Sequence, residues 1–327
     1  MPSADLSWAP RRSTRLLLAT ALIVAVVPIV GVGTAAAAKP KCFGAAARDA
    51  KRPCFNPSRS FTPSLAKADL TSASPCRMTD EEPEPVCAFG VSASKARKHV
   101  ALIGDSHALQ WRGPLDYVAR SQRWRGYSVT APGCPFSAAV RYLPEGMRES
   151  CESWYAGVQK WIRRHPEVTT IYVSQIAAIP LALPAGKTEF EVKSAGYRKA
   201  WSSLPRTVKR VIAIRDPPMT TRETRRCLRD ALAARARRPG VTCRVPRGNV
   251  LVEDDAVRTA KRLRSKRYAF ADFTRFFCNS RFCYPVIGGA LVYRDTFGHI
   301  TLSYADSLGP YLLRRVRFLG ETARRAR

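Results

Sequence analysis

From Lys98 onward, short apolar runs alternate with longer segments in which apolar residues recur at helical spacing. The runs contain β-branched residues and end at glycine, proline or polar residues, which is typical of buried strands. Strands that alternate with helices of this length form right-handed βαβ units, which build a parallel sheet covered on both faces. The predicted strands are 100–103, 126–131, 169–174, 210–215 and 268–273, and the predicted helices are 109–121, one opened by Cys151, 190–204, 255–264 and 303–318.

The loops after the strands carry most of the chemically versatile residues. In an open parallel sheet these loops meet at the carboxyl edge, where such sheets bind their ligands. The loops are 104–107, 132–135, 174–176 and 215–218, and a later segment, 295–299, joins them. We therefore expect the functional residues to gather at this one edge.

Ser106 stands at a turn between a strand and a helix, directly after Asp105. One interpretation is a helix N-cap pair without chemistry, because Asp and Ser are favoured cap residues. The other is a nucleophile, because Asp295 and His299 lie together on a late loop, and serine, histidine and acid activate a hydroxyl. His299 would then take the proton and Asp295 would orient the ring. His107 is a rival base, but we expect it to line the pocket with Asp105.

Acyl transfer also needs hydrogen-bond donors that face the developing oxyanion. The backbone amide of Ser106 is one candidate donor. Gly133 is another, because its amide can approach a substrate without a side chain in the way, although a plain turn is the alternative. A disulfide between Cys134 and Cys151 would fix this loop in either case.

Residues 1–38 have the pattern of an export signal. Three arginines precede an apolar run, 16–32, and Ala35–Ala38 offers a small-residue cleavage site. The run is long enough that an uncleaved membrane anchor is the alternative. Either way, the remainder of the chain is predicted to be secreted or extracytoplasmic. Residues 39–96, rich in Pro and Ser, are predicted to be an irregular lead-in to a single domain at 97–327.

The ten cysteines fall into neighbouring pairs along the chain, which in an exported protein predicts local disulfides. Other connectivities stay open, but sequential pairing needs the shortest loops. A metal site is not predicted, because there is no Cys-x-x-Cys pair and there are only four histidines. The predicted pairs are Cys42–Cys54, Cys76–Cys87, Cys134–Cys151, Cys227–Cys243 and Cys278–Cys283.

The formal net charge of +30 predicts attraction to anionic polymers or membrane surfaces. Outside a cell, these partners are acidic glycans and lipid head groups of the envelope. Nucleic acid is not expected, because the basic residues are scattered and no nucleic-acid-binding motif accompanies them. A basic surface that serves only solubility is the alternative.

The combination of these loops resembles the SGNH, or GDSL-like, hydrolase superfamily. It is most similar to the SGNH domains attached to membrane acyltransferases that O-acetylate bacterial envelope sugars. The resemblance rests on Gly-Asp-Ser-His at 104–107, Gly-Cys-Pro at 133–135, the Asp-x-Pro turn at 216–218 and the segment 278–301, which leads from paired cysteines to Asp295 and His299.

The resemblance implies a flavodoxin-like three-layer sandwich and a serine esterase or acyltransferase mechanism, with Ser106 holding the acyl group. No cofactor is implied. Ser174-Gln175 stands where these families have an Asn, which makes Gln175 the third oxyanion candidate. The spacing from Asp295 to His299 is one residue longer than usual. Because the multi-span acyltransferase half is not in this sequence, we expect an acyl donor on a separate membrane acyltransferase or on the substrate.

The sequence thus predicts an exported serine esterase or O-acyltransferase that acts on ester-linked acyl groups, most often acetyl, of envelope or extracellular glycans. Two alternatives stay open. One is a glycan-binding module that keeps the fold without activity, and the other is a partner subunit of a membrane acyltransferase. Labelling of Ser106 by a serine-reactive fluorophosphonate distinguishes the enzyme from the glycan-binding module, and a neighbouring gene for a membrane acyltransferase would favour the partner subunit.

Overall fold

The computed structural model describes residues 42–325, apart from residues 53, 55, 57–59, 69, 71–73, 84 and 179. The predicted leader, residues 1–38, lies outside the described residues, so its cleavage or anchoring stays a prediction. In the described part of the chain, no helix combines the length and hydrophobicity needed to cross a lipid bilayer.

The strands and helices alternate along the chain as the apolar pattern predicts. In chain order, the strands are β1 (Arg77–Thr79), β2 (Val86–Gly90), β3 (Lys98–Gly104), β4 (Trp124–Thr130), β5 (Val168–Ser174), β6 (Arg210–Ile214), β7 (Val245–Pro246), β8 (Tyr268–Ala271), β9 (Phe282–Cys283), β10 (Val286–Ile287) and β11 (Ala290–Leu291). The helices are α1 (Ser106–Leu109), α2 (Arg112–Gln122), α3 (Glu145–Arg164), α4 (Glu189–Ser202), α5 (Arg222–Ala233), α6 (Pro239–Thr242), α7 (Arg247–Val250), α8 (Asp255–Arg262), α9 (Thr274–Phe277), α10 (Leu302–Ser307) and α11 (Gly309–Arg325).

Seven strands form the central sheet, in the order β1-β2-β4-β3-β5-β6-β8. Strands β4, β3, β5, β6 and β8 run parallel to one another. Strand β2 pairs with β4 in the antiparallel direction, and β1 pairs with β2 likewise. The predicted α/β class with a parallel central sheet is confirmed.

Helices cover both faces of the sheet. Successive side chains of a strand point to opposite faces, so each strand contributes to two separate cores. On β3, Val100 and Leu102 pack into one core cluster with residues of α2, α10 and α11. Ala101 and Ile103 pack into a second cluster with residues of α3, α4 and α8. Each of these four β3 side chains is at most 1% exposed. The result is the predicted three-layer sandwich.

The lead-in differs from the expected irregular segment over residues 77–90. These residues form β1 and β2, and β2 pairs with β4 along its full length, from Val86 opposite Val129 to Gly90 opposite Arg125. Strand β2 is short and two of its five residues are Ala and Gly, so it lacks the β-branched run that marks β3. The central sheet therefore begins at Arg77, ahead of the domain boundary expected at residue 97.

The closing helix expected at 303–318 is two helices, α10 and α11. Leu308 is the C-cap of α10, and Gly309 and Pro310 open α11. The proline lacks a backbone N–H, so it fits the first turn of a new helix and not the interior of a continuous one. The long helix predicted after Cys151 begins earlier, at Glu145.

The cysteines pair as predicted. The structure contains the disulfides Cys42–Cys54, Cys76–Cys87, Cys134–Cys151, Cys227–Cys243 and Cys278–Cys283, with no free cysteine among the described residues. Cys76–Cys87 joins the start of the sheet to β2, and Cys134–Cys151 ties the loop after β4 to α3. The Cys134–Cys151 disulfide holds a loop that borders the candidate active site.

Candidate active site

The register of three neighbouring strands brings their loops to one level. Gly104 at the end of β3 pairs with Thr130 on β4 and with Ser174 on β5. A side chain at position 104 has no room, because an added Cβ would lie 1.9 Å from the Ser174 carbonyl oxygen. The glycine therefore allows the strands to stay paired up to the point where the Asp105-Ser106 turn begins.

Asp105 is the N-cap of α1, and its Oδ1 accepts a hydrogen bond of 2.8 Å from the His107 N–H. Its carboxylate also accepts from the Ile176 N–H at 3.0 Å, which ties the serine turn to the loop after β5. The cap role considered for the Asp-Ser pair thus falls to Asp105, which is fully buried. The hydroxyl of Ser106, the first residue of α1, is left for another partner.

That partner is His299. The distance from Ser106 Oγ to His299 Nε2 is 2.8 Å, although the two residues lie 193 positions apart. On the other side of the ring, His299 Nδ1 lies 2.6 Å from Asp295 Oδ2. Both Ser106 and His299 are partly exposed. The structure therefore brings the three predicted residues into a hydrogen-bonded chain that solvent or substrate can reach.

A tight loop holds Asp295 against His299. Asp295 Oδ1 accepts hydrogen bonds from the backbone N–H of Phe297 at 2.9 Å and of His299 at 3.3 Å. Gly298, at φ +88, turns the chain back, which accommodates the longer acid-to-histidine spacing. Burial by itself raises the pKa of Asp295, but the hydrogen bond from His299, the charge of that ring and the Phe297 N–H outweigh it. The pKa of this carboxyl is therefore lowered, and it stays ionised.

Gln110 anchors the histidine loop to the serine loop. Its Oε1 accepts a hydrogen bond of 2.8 Å from the N–H of Ile300, the residue after His299. Gln110 is only 3% exposed and belongs to the end of α1, four residues after Ser106. This hydrogen bond joins the His299 loop to the helix that begins at Ser106. We therefore infer that Gln110 sets the distance between Ser106 and His299.

Replacing Gln110 with Met removes the acceptor for the Ile300 N–H while keeping most of the side-chain volume. The unpaired buried N–H is expected to cost about 1–3 kcal/mol of unfolding free energy. Loosening of the His299 loop is expected to lower kcat/KM for an ester substrate by about 10- to 100-fold. Denaturant unfolding and p-nitrophenyl acetate turnover measure the two effects. The matched control is Gln122→Met, whose side chain bonds only the Ser121 carbonyl on the surface, and equal losses in both variants would contradict the role of Gln110.

A second Asp-His pair lies beside the first. His107 Nδ1 is 2.6 Å from Asp216 Oδ1, and the His107 and His299 ring centroids are 4.6 Å apart. Asp216 Oδ2 accepts from the Ala177 N–H at 2.9 Å, so this carboxylate is held from two sides. His107 is 1% exposed and its Nε2 has no hydrogen-bond partner among the described residues. His107 thus lies beside His299 and pairs with Asp216, while the hydrogen bond of Ser106 Oγ is to His299 Nε2.

Burial of the His107 ring works to lower its pKa, but the charge and hydrogen bond of Asp216, with the charges of Asp105 and Asp295, outweigh it. The result is a pKa raised to about 9. A histidine whose folded pKa lies above its ordinary value stabilises the fold fully below about pH 6.5 and loses this contribution as pH rises through about 9. We therefore expect the unfolding free energy to fall over this window by up to about 3 kcal/mol.

The test compares wild type with His107→Gln in denaturant unfolding at pH 6 and pH 9.5, because subtraction of the variant's pH dependence removes the other titrating groups. The wild-type protein should lose more stability between the two pH values than the variant does. An identical pH dependence in both proteins would show that His107 is not charged in the folded state.

The predicted oxyanion residues lie on the loops that flank Ser106. Gly133, at φ +76, is partly exposed, with open space where a side chain would begin: the nearest atoms to an added Cβ are Arg141 Nη1 and Met147 Sδ, each at 4.0 Å. Gln175 follows β5, is 3% exposed, and its Oε1 has no hydrogen-bond partner in the described structure. The structure thus places both residues at the same sheet edge as Ser106, while their roles as oxyanion donors stay predictions.

Two other residues of this edge carry no sequence signal of their own. Gln110 lies within a helical pattern, and Arg141 lies in a segment without periodicity. Asp216 belongs to the 215–218 loop that the sequence already places at this edge, but the sequence does not predict its pairing with His107. No group of three or more metal-ligating side chains occurs among the residues that the structure describes.

Comparison with known proteins gives a family and a structural neighbour. Residues 75–314 match the family described as SGNH domain (fused to AT3 domains), which is more than half of the chain. Among solved structures, the chain is similar to the periplasmic domain of the lipopolysaccharide acetyltransferase of Salmonella ser. Paratyphi A. The TM-score is 0.52 at 14% sequence identity, over 70% of this chain and 90% of that one. No curated protein sequence matches the chain.

Proposed function

The chain belongs to the family of SGNH domains found fused to AT3 domains, and from this we propose that it is a serine esterase or O-acyltransferase that works outside the cytoplasm. The observation that carries the proposal is the chain of hydrogen bonds Ser106 Oγ–His299 Nε2 (2.8 Å) and His299 Nδ1–Asp295 Oδ2 (2.6 Å). A serine hydroxyl with a base in contact, and an acid that orients the base, is the arrangement of an activated nucleophile.

In the first half-reaction, Ser106 Oγ attacks the carbonyl carbon of an ester and His299 Nε2 takes the hydroxyl proton. The carbonyl π pair moves to the oxygen and forms the tetrahedral oxyanion. When this collapses, the bond from carbon to the leaving oxygen breaks, and the protonated His299 gives its proton to that oxygen. The acyl group then stays on Ser106, while the ionised Asp295 stabilises the imidazolium that forms between the steps.

In the second half-reaction, His299 removes a proton from the incoming hydroxyl, whose oxygen attacks the acyl carbon and forms a second tetrahedral oxyanion. When this collapses, the bond from carbon to Ser106 Oγ breaks, and the protonated His299 returns its proton to Oγ. Water as the incoming group gives an esterase, and a sugar hydroxyl gives an acyltransferase. The same residues serve both outcomes, because only the acceptor differs. Transfer would be favoured if a bound sugar excluded water from the acyl-enzyme.

The proposed substrate is an acylated glycan of the cell envelope, with acetyl as the acyl group. The name of the Salmonella neighbour, a lipopolysaccharide acetyltransferase, supports both the acetyl group and the envelope. Five disulfides support a location outside the reducing cytoplasm. For transfer, the acyl donor would be a separate membrane acyltransferase or the substrate itself.

A cavity of about 640 Å³, whose lining does not include Ser106, Asp295 or His299, supports an anionic glycan or other anionic envelope polymer as a binding partner. It lies between residues 138–140, α4 and α8. Its basic lining residues are Lys187, Arg198, Lys199 and Arg262, and its one acidic lining residue, Glu191, already accepts from Thr188 in a capping box. An excess of cations around a cavity attracts negatively charged chains.

The experiment that tests the proposal is turnover of p-nitrophenyl acetate by the purified protein, alone and with acetyl-free envelope glycan as an acceptor. Release of acetate without acceptor identifies an esterase, and appearance of acetylated glycan identifies a transferase. A protein that neither turns over the ester nor transfers its acetyl group would contradict the proposal.

A glycan-binding module without activity is the second candidate. The presence of Gln175 where related domains have an Asn favours it, because an altered oxyanion donor weakens catalysis. Labelling with a serine-reactive fluorophosphonate distinguishes the two, because reaction requires an activated Ser106. Glycan binding with no labelling would support the module, and labelling at Ser106 would exclude it.

A further inference from the structure

Arg141 lies in the segment that connects the Gly133 loop to α3. Its backbone is fixed against the loop after β5: it forms an isolated β-bridge with Leu181, and the neighbouring Tyr142 N–H donates to the Pro180 carbonyl at 3.3 Å. The disulfide Cys134–Cys151 holds the same segment from both ends. Arg141 is therefore held in place by the fold, although it belongs to no strand or helix.

Part of the Arg141 guanidinium is buried without hydrogen-bond partners, although the residue as a whole is partly exposed. Both Nε and Nη1 are shielded from solvent and have no hydrogen-bond acceptor among the described residues. An unpaired buried N–H loses its hydration without compensation. Four other described arginines have an unpartnered buried Nε (Arg125, Arg210, Arg215 and Arg267), but among the described residues Arg141 alone also has an unpartnered buried Nη. Such a group in an enzyme cleft is explained when the missing acceptor arrives with the substrate.

The guanidinium lies near the Gly133 loop, which carries one of the proposed oxyanion donors. Nη1 lies 4.0 Å from the position that a side chain on Gly133 would occupy. Asp105, the residue before Ser106, is close enough to act on the pKa of Arg141: burial lowers that pKa and the Asp105 carboxylate offsets part of the shift. Asp105 does not pair with the guanidinium, since its oxygens accept from the His107 and Ile176 N–H groups.

The other two proposed donors are backbone N–H groups of the serine loop and the Gly133 loop. Ser106 is the first residue of α1, where the backbone N–H has no acceptor within the helix. Gly133 offers the second N–H on the loop after β4. The loops begin side by side, because the Ala131 N–H donates to the Gly104 carbonyl at 3.1 Å. At this edge, Gln175 and Arg141 each carry buried polar side-chain atoms without a hydrogen-bond partner among the described residues.

We propose that Arg141 is a catalytic residue that donates an N–H to the carbonyl oxygen of the ester as that oxygen becomes an oxyanion, beside the N–H groups of Ser106 and Gly133. This inference rests on the proposed acyl-transfer function and adds to it a charged donor. Attack of Ser106 moves the carbonyl π pair onto the oxygen, and collapse returns this pair to the carbon as the leaving oxygen departs. Arg141 stays protonated throughout, so its charge stabilises the intermediate without joining the proton transfers.

The test compares wild type with Arg141→Met, Arg141→Lys and a control, Arg163→Met, which removes an exposed arginine from α3. The readouts are kcat and KM for p-nitrophenyl acetate, and inhibition by a trifluoromethyl ketone, which forms a tetrahedral oxyanion with an active serine. Arg141→Met should lower kcat by about 10²- to 10³-fold, leave KM unchanged, and weaken the ketone in proportion. Arg141→Lys should recover part of the loss, because it keeps the charge.

Because p-nitrophenyl acetate carries no charge, its turnover distinguishes stabilisation of the oxyanion by Arg141 from binding of an anionic substrate group. A guanidinium that instead binds a carboxylate of an acidic sugar would leave p-nitrophenyl acetate turnover unchanged, and that result would overturn the proposal. A change in KM alone, or ketone inhibition equal to wild type, would overturn it as well. If Arg141→Met fails to fold, Arg141→Lys decides between the outcomes through the same ketone measurement. A wild-type protein without turnover or serine labelling would instead end the proposed function, and this inference with it.

Discussion

Replacing Ser106 with Ala is expected to lower kcat/KM for p-nitrophenyl acetate by at least about 10⁴-fold and to abolish labelling by a fluorophosphonate. The variant lacks the hydroxyl oxygen that lies 2.8 Å from His299 Nε2, so the base loses the nucleophile that it activates. The fold should be retained, because Asp105 and not Ser106 caps α1. Ester turnover, labelling and denaturant unfolding of the same preparation measure all three effects.

The matched control is Ser121→Ala, an exposed serine near the end of α2. It should retain wild-type turnover and labelling at Ser106. If Ser106→Ala retains more than a small fraction of the activity while it is folded, turnover does not proceed through Ser106. The acyl-enzyme mechanism would then be wrong, even with the family membership unchanged.

Asp295→Asn is expected to lower kcat by about 10³- to 10⁴-fold, with little change in stability. The His299 ring donates its Nδ1–H to the carboxylate over 2.6 Å, which leaves Nε2 free to accept the Ser106 proton. An amide can present an N–H to the ring instead of an acceptor, and the ring then carries its proton on Nε2, where it cannot act as a base. The imidazolium that forms during reaction would also lose its counter-charge.

Two further substitutions show whether this loss is specific. Asp80→Asn removes a carboxylate from an exposed loop and should leave kcat unchanged. Asp216→Asn disrupts the neighbouring His107 pair, so its main expected effect is on stability and on the pH dependence described above. A larger loss of kcat for Asp216→Asn than for Asp295→Asn would reverse the assignment and make His107 the base.

The fold was predictable where the hydrophobic pattern was strong. The β-branched runs of β3, β5 and β6 are buried on both faces, as parallel strands are, and their order along the chain gave the sandwich and the loop-bearing edge. The resemblance to SGNH domains is confirmed by the family match over residues 75–314. Ser106, Asp295 and His299 could be named because their residue types are suited to one kind of chemistry and their loops share one edge.

The remainder depends on tertiary contacts that the pattern does not encode. Strand β2 forms because it pairs with β4, and its own residues have little strand pattern, so the sequence alone predicts an irregular segment there. Gln110 is an ordinary helical residue until the Ile300 N–H meets it across 190 positions. The burial of the Arg141 guanidinium depends on loops on either side of the cleft, and the spacing of residues along the sequence does not predict this arrangement.

The central claim is that Ser106 becomes acylated during turnover. The most direct measurement is acid quenching of the protein within the first turnovers of p-nitrophenyl acetate, followed by proteolysis and mass spectrometry of the peptide that contains residues 104–107. The account predicts an acetyl adduct on Ser106 that accumulates in Gln110→Met no faster than in wild type and is absent from Ser106→Ala. Turnover with the acetyl group on another residue, or with no covalent adduct under conditions that trap a control serine esterase, would contradict it.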